Sequence, residues 1–169
     1  MGYTNLTDIC QLVSPAEMMK TQGTWTPGES SGVVGEERSA ADDAFELLIP
    51  LKLPGSAVGV QGAKILSVDV WYKVATAALT SFNTVEVVKT SLSANGSAMT
   101  GETIPTSVDA DNDTSAERVT VDEHKMTITI TTPVFIQDDE AWYVHLGADP
   151  AAGSVFTLYG AQVNFELRL

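Results

Sequence analysis

Cysteine is nearly absent from this chain: Cys10 stands alone among 169 residues. That excludes an intrachain disulfide and any metal cluster built from several Cys and His ligands. Histidine is almost as scarce, with only His124 and His145. Basic residues number nine against 22 acidic ones, for a net charge of −13. Such a surface repels phosphate backbones and anionic bilayers, so neither nucleic acid nor membrane is expected as a direct partner. No stretch approaches the roughly 20 apolar residues that span a bilayer. The opening MGYTNLTDIC lacks the basic-then-apolar pattern of a signal peptide. It also lacks the Ser or Thr at position six that a myristoylation signal uses. Synthesis and folding in a cytoplasm are therefore expected. There is no G-x-S-x-G elbow, no phosphate-loop spacing, no internal repeat and no cofactor motif.

What is present is strand patterning. Between Arg118 and Leu146, Met126, Ile128 and Ile130 alternate with Thr127, Thr129 and Thr131. Beyond Pro133 and the acidic turn Asp138-Asp139-Glu140, Trp142, Val144 and Leu146 alternate with Tyr143 and His145. A period of two with one apolar face marks half-buried antiparallel strands. Phe45, Leu47, Ile49, Leu51 and Leu53 repeat the pattern around Pro50, which predicts an edge or a bulge there. Pro54-Gly55-Ser56 then turns the chain.

Residues 63–76 predict a strand with Lys64, Leu66, Val68, Val70, Tyr72 and Val74 on one face. Ile65, Ser67, Asp69, Trp71 and Lys73 fall on the other, solvent-side face. Phe82 to Leu92 is a further strand. Ser93 to Asp113 reads as a long loop with one short strand near Thr103–Ile104. The last strand, Ser154 to Leu169, changes phase near Gly160, a candidate bulge.

Residues 1–41 differ. They predict an N-terminal arm with short helical turns, since Ser14-Pro15-Ala16-Glu17 has the cap, proline and acid of a helix start. Residues 42–169 predict an all-β domain, an antiparallel β-sandwich. The long closing strand and long excursions between strands favour a jelly roll over an immunoglobulin arrangement.

Candidate chemistry is thin. His124, in Asp122-Glu123-His124-Lys125, reads as a hairpin tip, and His145 as a strand residue. Catalysis would need one of them beside a nucleophile and an acid. The acidic pairs Glu36-Glu37, Asp42-Asp43 and Asp138-Asp139-Glu140 read as solvated charge. Asp109, Asp111 and Asp113 have the D-x-D-x-D opening of a calcium loop. Thr114 and Thr120 stand where its glycine and bidentate glutamate belong, so they are a weak metal candidate. Trp25, Trp71, Trp142, Tyr143 and Tyr159 include possible sugar-stacking rings; Trp71 marks the candidate ligand-binding face because it shares its side with Asp69 and Lys73. An outward tryptophan equally suits a subunit contact.

The run Met126–Thr132, then Asp-Asp-Glu-Ala-Trp-Tyr-Val, Asp149-Pro150 and Tyr159-Gly160-Ala161-Gln162-Val163-Asn164-Phe165, resembles the layout of small jelly-roll virion structural and decoration proteins of tailed phages and related viruses. The resemblance covers roughly residues 44–169. It implies a non-enzymatic virion structural protein, a capsid decoration or appendage component. It further implies a homotrimer whose N-terminal arm docks on a larger capsid or appendage protein. Leu6, Ile9, Leu12, Val13, Met18, Met19 and Trp25 would then make the partner contact. A carbohydrate- or receptor-binding sandwich is the alternative expectation.

Overall fold

The computed structural model describes residues 6–30, 32–40, 43–52, 62–92, 98–137 and 139–168. The turn expected at Pro54–Ser56, Asp42, Asp138 and the side chain of Leu6 lie outside the described residues. Strands dominate: β1 (Leu6–Val13), β2 (Met19–Lys20), β3 (Trp25–Ser30), β4 (Val33–Arg38), β5 (Phe45–Pro50) and β6 (Ala63–Ala75). They continue as β7 (Leu79–Ser91), β8 (Thr100–Ile104), β9 (Thr106–Val108), β10 (Glu123–Ile130), β11 (Glu140–Pro150) and β12 (Val155–Arg168). A short helix, α1 (Ser115–Arg118), is capped by Thr114.

Two antiparallel sheets face each other. One runs β3-β4-β12-β6-β10-β9, with β1 also on β12; the other runs β2-β5-β11-β7-β8. Among the eight strands β4 to β8 and β10 to β12, every step but β7 to β8 crosses between sheets. That winding is the double Greek key of a jelly roll. The expected alternation fills the core: Met126, Ile128 and Ile130 meet Val144 and Leu146, with Val163, Phe165, Leu47 and Ile49 beside them, all buried. Pro50 ends β5 beyond the reach of the short β2, where no N–H is demanded.

Two phase changes shape β6 and β12. Leu158 pairs with Tyr72 and Gly160 with Trp71, so Tyr159 is an extra residue and the bulge expected near Gly160 is present. Asn164 pairs with Ser67 but Phe165 with Ile65, which makes Leu66 the extra residue. The second bulge corrects the expected faces of β6. Ile65, not Lys64 or Leu66, points inward alongside Val68, Val70, Tyr72 and Val74. A uniform period of two cannot register a residue that the pairing skips.

Residues 6–38 do not form a separate arm. They supply β1 to β4 and cover one flank of the sandwich. The edge of β12 pairs with β4 over Phe156–Leu158 and with β1 over Ala161–Arg168. The expected helix start is real but brief, a single 3-10 turn at Pro15–Glu17 with the capping box of Ser14 and Glu17 complete. Lys20 closes this flank: its ammonium donates to the Pro15 carbonyl at 2.5 Å and pairs with Glu36 at 2.8 Å.

The core ends in an aromatic cluster. Phe156 packs against Phe45, Tyr72, Phe82 and Trp25 with ring centroids 5.1–6.5 Å apart. The buried Arg38 lies over Phe45 and donates to the Asp43 carbonyl at 2.7 Å. Burial pushes its pKa down, although arginine stays charged.

Glu140 ties the start of β11 to β7. Its carboxylate accepts from the Gln137 N–H and the Trp142 indole, each at 3.1 Å, and pairs with Lys89 at 3.3 Å. Burial alone would raise its pKa, but these donors outweigh burial and hold it below the usual carboxylate range. A carboxyl depressed in the folded state stabilises above its unfolded value of about 4.3. That contribution is lost as pH falls through the folded value. Glu140→Gln is expected to cost about 1–2 kcal/mol near pH 7 and progressively less towards pH 3. Thermal melts of both proteins across that range check it; a pH-independent gap would contradict it.

Candidate functional site

The flank built by residues 6–38 and the outer face of the seven-stranded sheet carry the features that could engage a partner. On the flank, Leu12 is 72% exposed, Val34 68%, and Met19 and Val33 50% each. These are four of the eight large apolar side chains that stand exposed among the described residues. β1 and β4 share one edge of β12, and the Lys20–Glu36 pair holds β2 against β4, so all four residues belong to strands gathered at that edge. Val33 and Val34, being successive, face opposite sides of β4.

The expected partner residues divide. Leu12 and Met19 are exposed, as a contact would need. Val13 and Met18 are buried, and Ile9 and Trp25 pack partly buried against the core, Trp25 edge-on to Phe45 and Phe156. This corrects the expectation for Val13, Met18 and Trp25, which hold the flank in place. Val33 and Val34 join Leu12 and Met19 without being expected from the sequence. Their signal is an apolar pair between Gly32 and Gly35 at a hairpin turn.

The outer face is a ladder of polar groups around Trp71. Pairing places Trp71 opposite Gly160 of β12 and Lys125 of β10. The Lys125 ammonium sits 5.7 Å from the ring centre and 3.3 Å from Asp69. Asp69 accepts from the Thr127 hydroxyl at 2.6 Å; Gln162 donates to Asn164, which donates to Ser67. Asp69 is thus buried and paired rather than solvated. Trp71 remains half-buried on this face.

Beside Trp71 the β3–β4 hairpin bounds a groove of about 270 Å³, lined by Gly28, Val33, Gly35, Glu37, Lys73, Ala75, Thr157 and Tyr159. One cross-strand row, Glu37–Thr157–Lys73, runs along its floor. The bulge at Tyr159 puts that ring at the groove's side.

The remaining candidates have structural work. Asp109 accepts from Asp111 N–H at 3.2 Å, from the Asn112 amide at 2.9 Å and from Thr127 N–H, pinning the turn to β10. Among the described residues no three His, Cys, Asp or Glu side chains converge as metal ligands. Asp111 and Asp113 are exposed, so Asp109, Asp111 and Asp113 make a turn, not a shared site. His124 is not at a hairpin tip: it lies in β10, stacks on Tyr72 at 4.7 Å and meets the Thr120 carbonyl at 3.0 Å. His145 lies between Glu46 and Glu86 at 3.7 and 3.8 Å. Among the described residues no hydroxyl or thiol hydrogen-bonds to either histidine.

No family model and no curated protein matches the sequence. Structural similarity is distant. A bacteriophage CBA120 tailspike protein 4 enzymatically active domain aligns at 8% identity and TM-score 0.35, over 97% of this chain and 19% of that one. The family 11 carbohydrate-binding module of Clostridium thermocellum, solved with a β-1,3-1,4-mixed-linked tetrasaccharide, aligns at 12% and 0.39, over 96% and 89%. An arabinose-bound α-L-arabinofuranosidase aligns at 8% and 0.37, over 91% and 24%. The chain thus spans about a fifth of the tailspike domain and a quarter of the arabinofuranosidase.

Proposed function

We propose that this chain is a non-enzymatic virion structural protein, a capsid decoration or appendage subunit that works by contact with copies of itself and with a larger shell protein. A β-sandwich with a binding or structural role is the frame. The observation that carries the finer reading is the apolar flank. Leu12, Met19, Val33 and Val34 expose large side chains from strands gathered at one edge of an otherwise acidic molecule, and apolar exposure of that kind marks contact surfaces. Open strand edges on β1 and β3 lie on the same side, and self-association is one way to cover them. A closed ring reuses one such flank in every subunit. The homotrimer implied by the phage resemblance is the form expected.

Light scattering on the native chain tests this. A mass near three times 17.9 kDa is expected. Leu12→Asp with Val34→Asp should reduce it to the monomer while leaving the circular dichroism unchanged, because both side chains face solvent. A monomeric native chain, or a trimer indifferent to both charges, would sink the self-association part of the reading.

A further inference from the structure

The groove beneath the β3–β4 hairpin contains two glycines that face each other, Gly28 and Gly35, and they are there for different reasons. A side chain at Gly35 would strike the Leu158 carbonyl and the Tyr159 ring, each 2.9 Å from its Cβ, so the packing of β4 on β12 requires it. A Cβ at Gly28 would meet nothing within 4 Å, and its backbone lies outside the left-handed region. Neither a close contact nor a positive φ requires a glycine there. A strand glycine costs about 0.5–1 kcal/mol relative to alanine, and one without a steric reason marks a place where something else approaches.

The groove says what that is. Glu37, an acceptor, and Lys73, a donor, flank Thr157, with their strands about 10 Å apart across β12. Opposite charges at the two ends leave no strong preference for a charged ligand, and Lys73 already leans on Glu123 at 3.5 Å. A carboxylate, a hydroxyl and an ammonium in a row suit a ring whose hydroxyls both donate and accept. The half-exposed Tyr159 supplies a flat apolar surface for the C–H face of such a ring. Trp71, two residues from Lys73 on the same face, lies next to the groove lining rather than in it. The volume is small for a ligand site and suits roughly one or two sugar rings.

We infer that this groove binds a neutral saccharide, stacked on Tyr159 and hydrogen-bonded by Glu37, Thr157 and Lys73. The inference does not rest on the assembly reading: Val33 is the one exposed flank residue that also lines the groove, and the residues that would hold the sugar, Glu37, Lys73, Thr157 and Tyr159, are not flank residues.

Isothermal titration of the full chain with glucose, galactose, mannose, N-acetylglucosamine and their trimers tests it, with tryptophan fluorescence as a second signal from Trp71. Saturable binding to at least one probe is expected, with Kd on the order of 0.1–1 mM. Gly28→Trp fills the groove from a position with free space and should weaken binding at least about tenfold with an unchanged melting temperature. Tyr159→Ala and Glu37→Ala should each weaken it about tenfold, and they keep the test alive should Gly28→Trp fail to fold. Leu12→Asp should bind as the native chain does. No saturation with any probe overturns the inference, and so does undiminished binding in the groove variants.

Discussion

Phe156→Ala is expected to cost about 3–5 kcal/mol of folding free energy. The ring is 2% exposed and contacts four aromatic neighbours drawn from β3, β5, β6 and β7. Those strands belong to both sheets, so the cavity left behind has rigid walls on every side and little means of collapse. A domain of this size has about 5–15 kcal/mol in hand, so the loss is a large share of the total. Urea unfolding followed by tryptophan fluorescence checks it. Trp25 touches the removed ring directly, so its emission in the native state should also shift to the red. A cost below about 1 kcal/mol would mean that the cluster is loosely packed and that the flank is held by something else.

The second large effect is expected at Gly160. Its φ is +142°, and an added Cβ would lie 3.1 Å from the Val13 carbonyl and 3.8 Å from the Pro15 ring. Gly160→Val combines backbone strain of about 1–3 kcal/mol with a collision against β1. Together they should cost about 2–4 kcal/mol. The loss should be local as well as global. Hydrogen exchange of the β1 amides should accelerate more than that of β6, because β1 must move away for the side chain to fit. Gly160→Ala should show the same direction with a smaller cost. Equal protection of β1 in native and variant chains would show that the close approach is not what glycine serves.

Much of the sandwich could be read from residues alone, and the exceptions have identifiable causes. Met126, Ile128 and Ile130, Trp142, Val144 and Leu146, and Val163, Phe165 and Leu167 alternate because each strand has one wet and one buried face, and all nine are buried. The period failed at Leu66, where the pairing with β12 skips a residue without any glycine to announce it. It failed more widely before Phe45. β1 to β4 are short strands at or next to a sheet edge, β3 and β4 are interrupted by Pro27, Gly28 and Gly35, and edges need few apolar residues because one side meets water. Their sparse composition therefore resembled an unattached arm. Trp25 looked isolated because its partners Phe45 and Phe156 are distant in sequence.

The candidate site was less legible still. Leu12 and Met19 could be named from apolarity, but Val13 and Met18 could not be separated from them without register. Tyr159 and Glu37 line one groove only because β4 pairs with β12 in a register that sets Glu37 beside Thr157. Asp109, read by spacing, has its carboxylate committed to three N–H donors.

The placement of β12 has a consequence on the ribosome. Among the described strands it is made last, yet it is the common neighbour of β1, β4 and β6. At about 5–20 residues per second the first strand waits on the order of ten to thirty seconds for the edge it will pair with. During that interval the growing chain exposes apolar strand faces that have no native cover, a state open to pairing with other nascent chains. Polysomes would bring such neighbours close. A chain released before Val155 would have the two sides of its larger sheet with nothing between them, so a stop codon there should yield aggregate rather than a smaller folded protein.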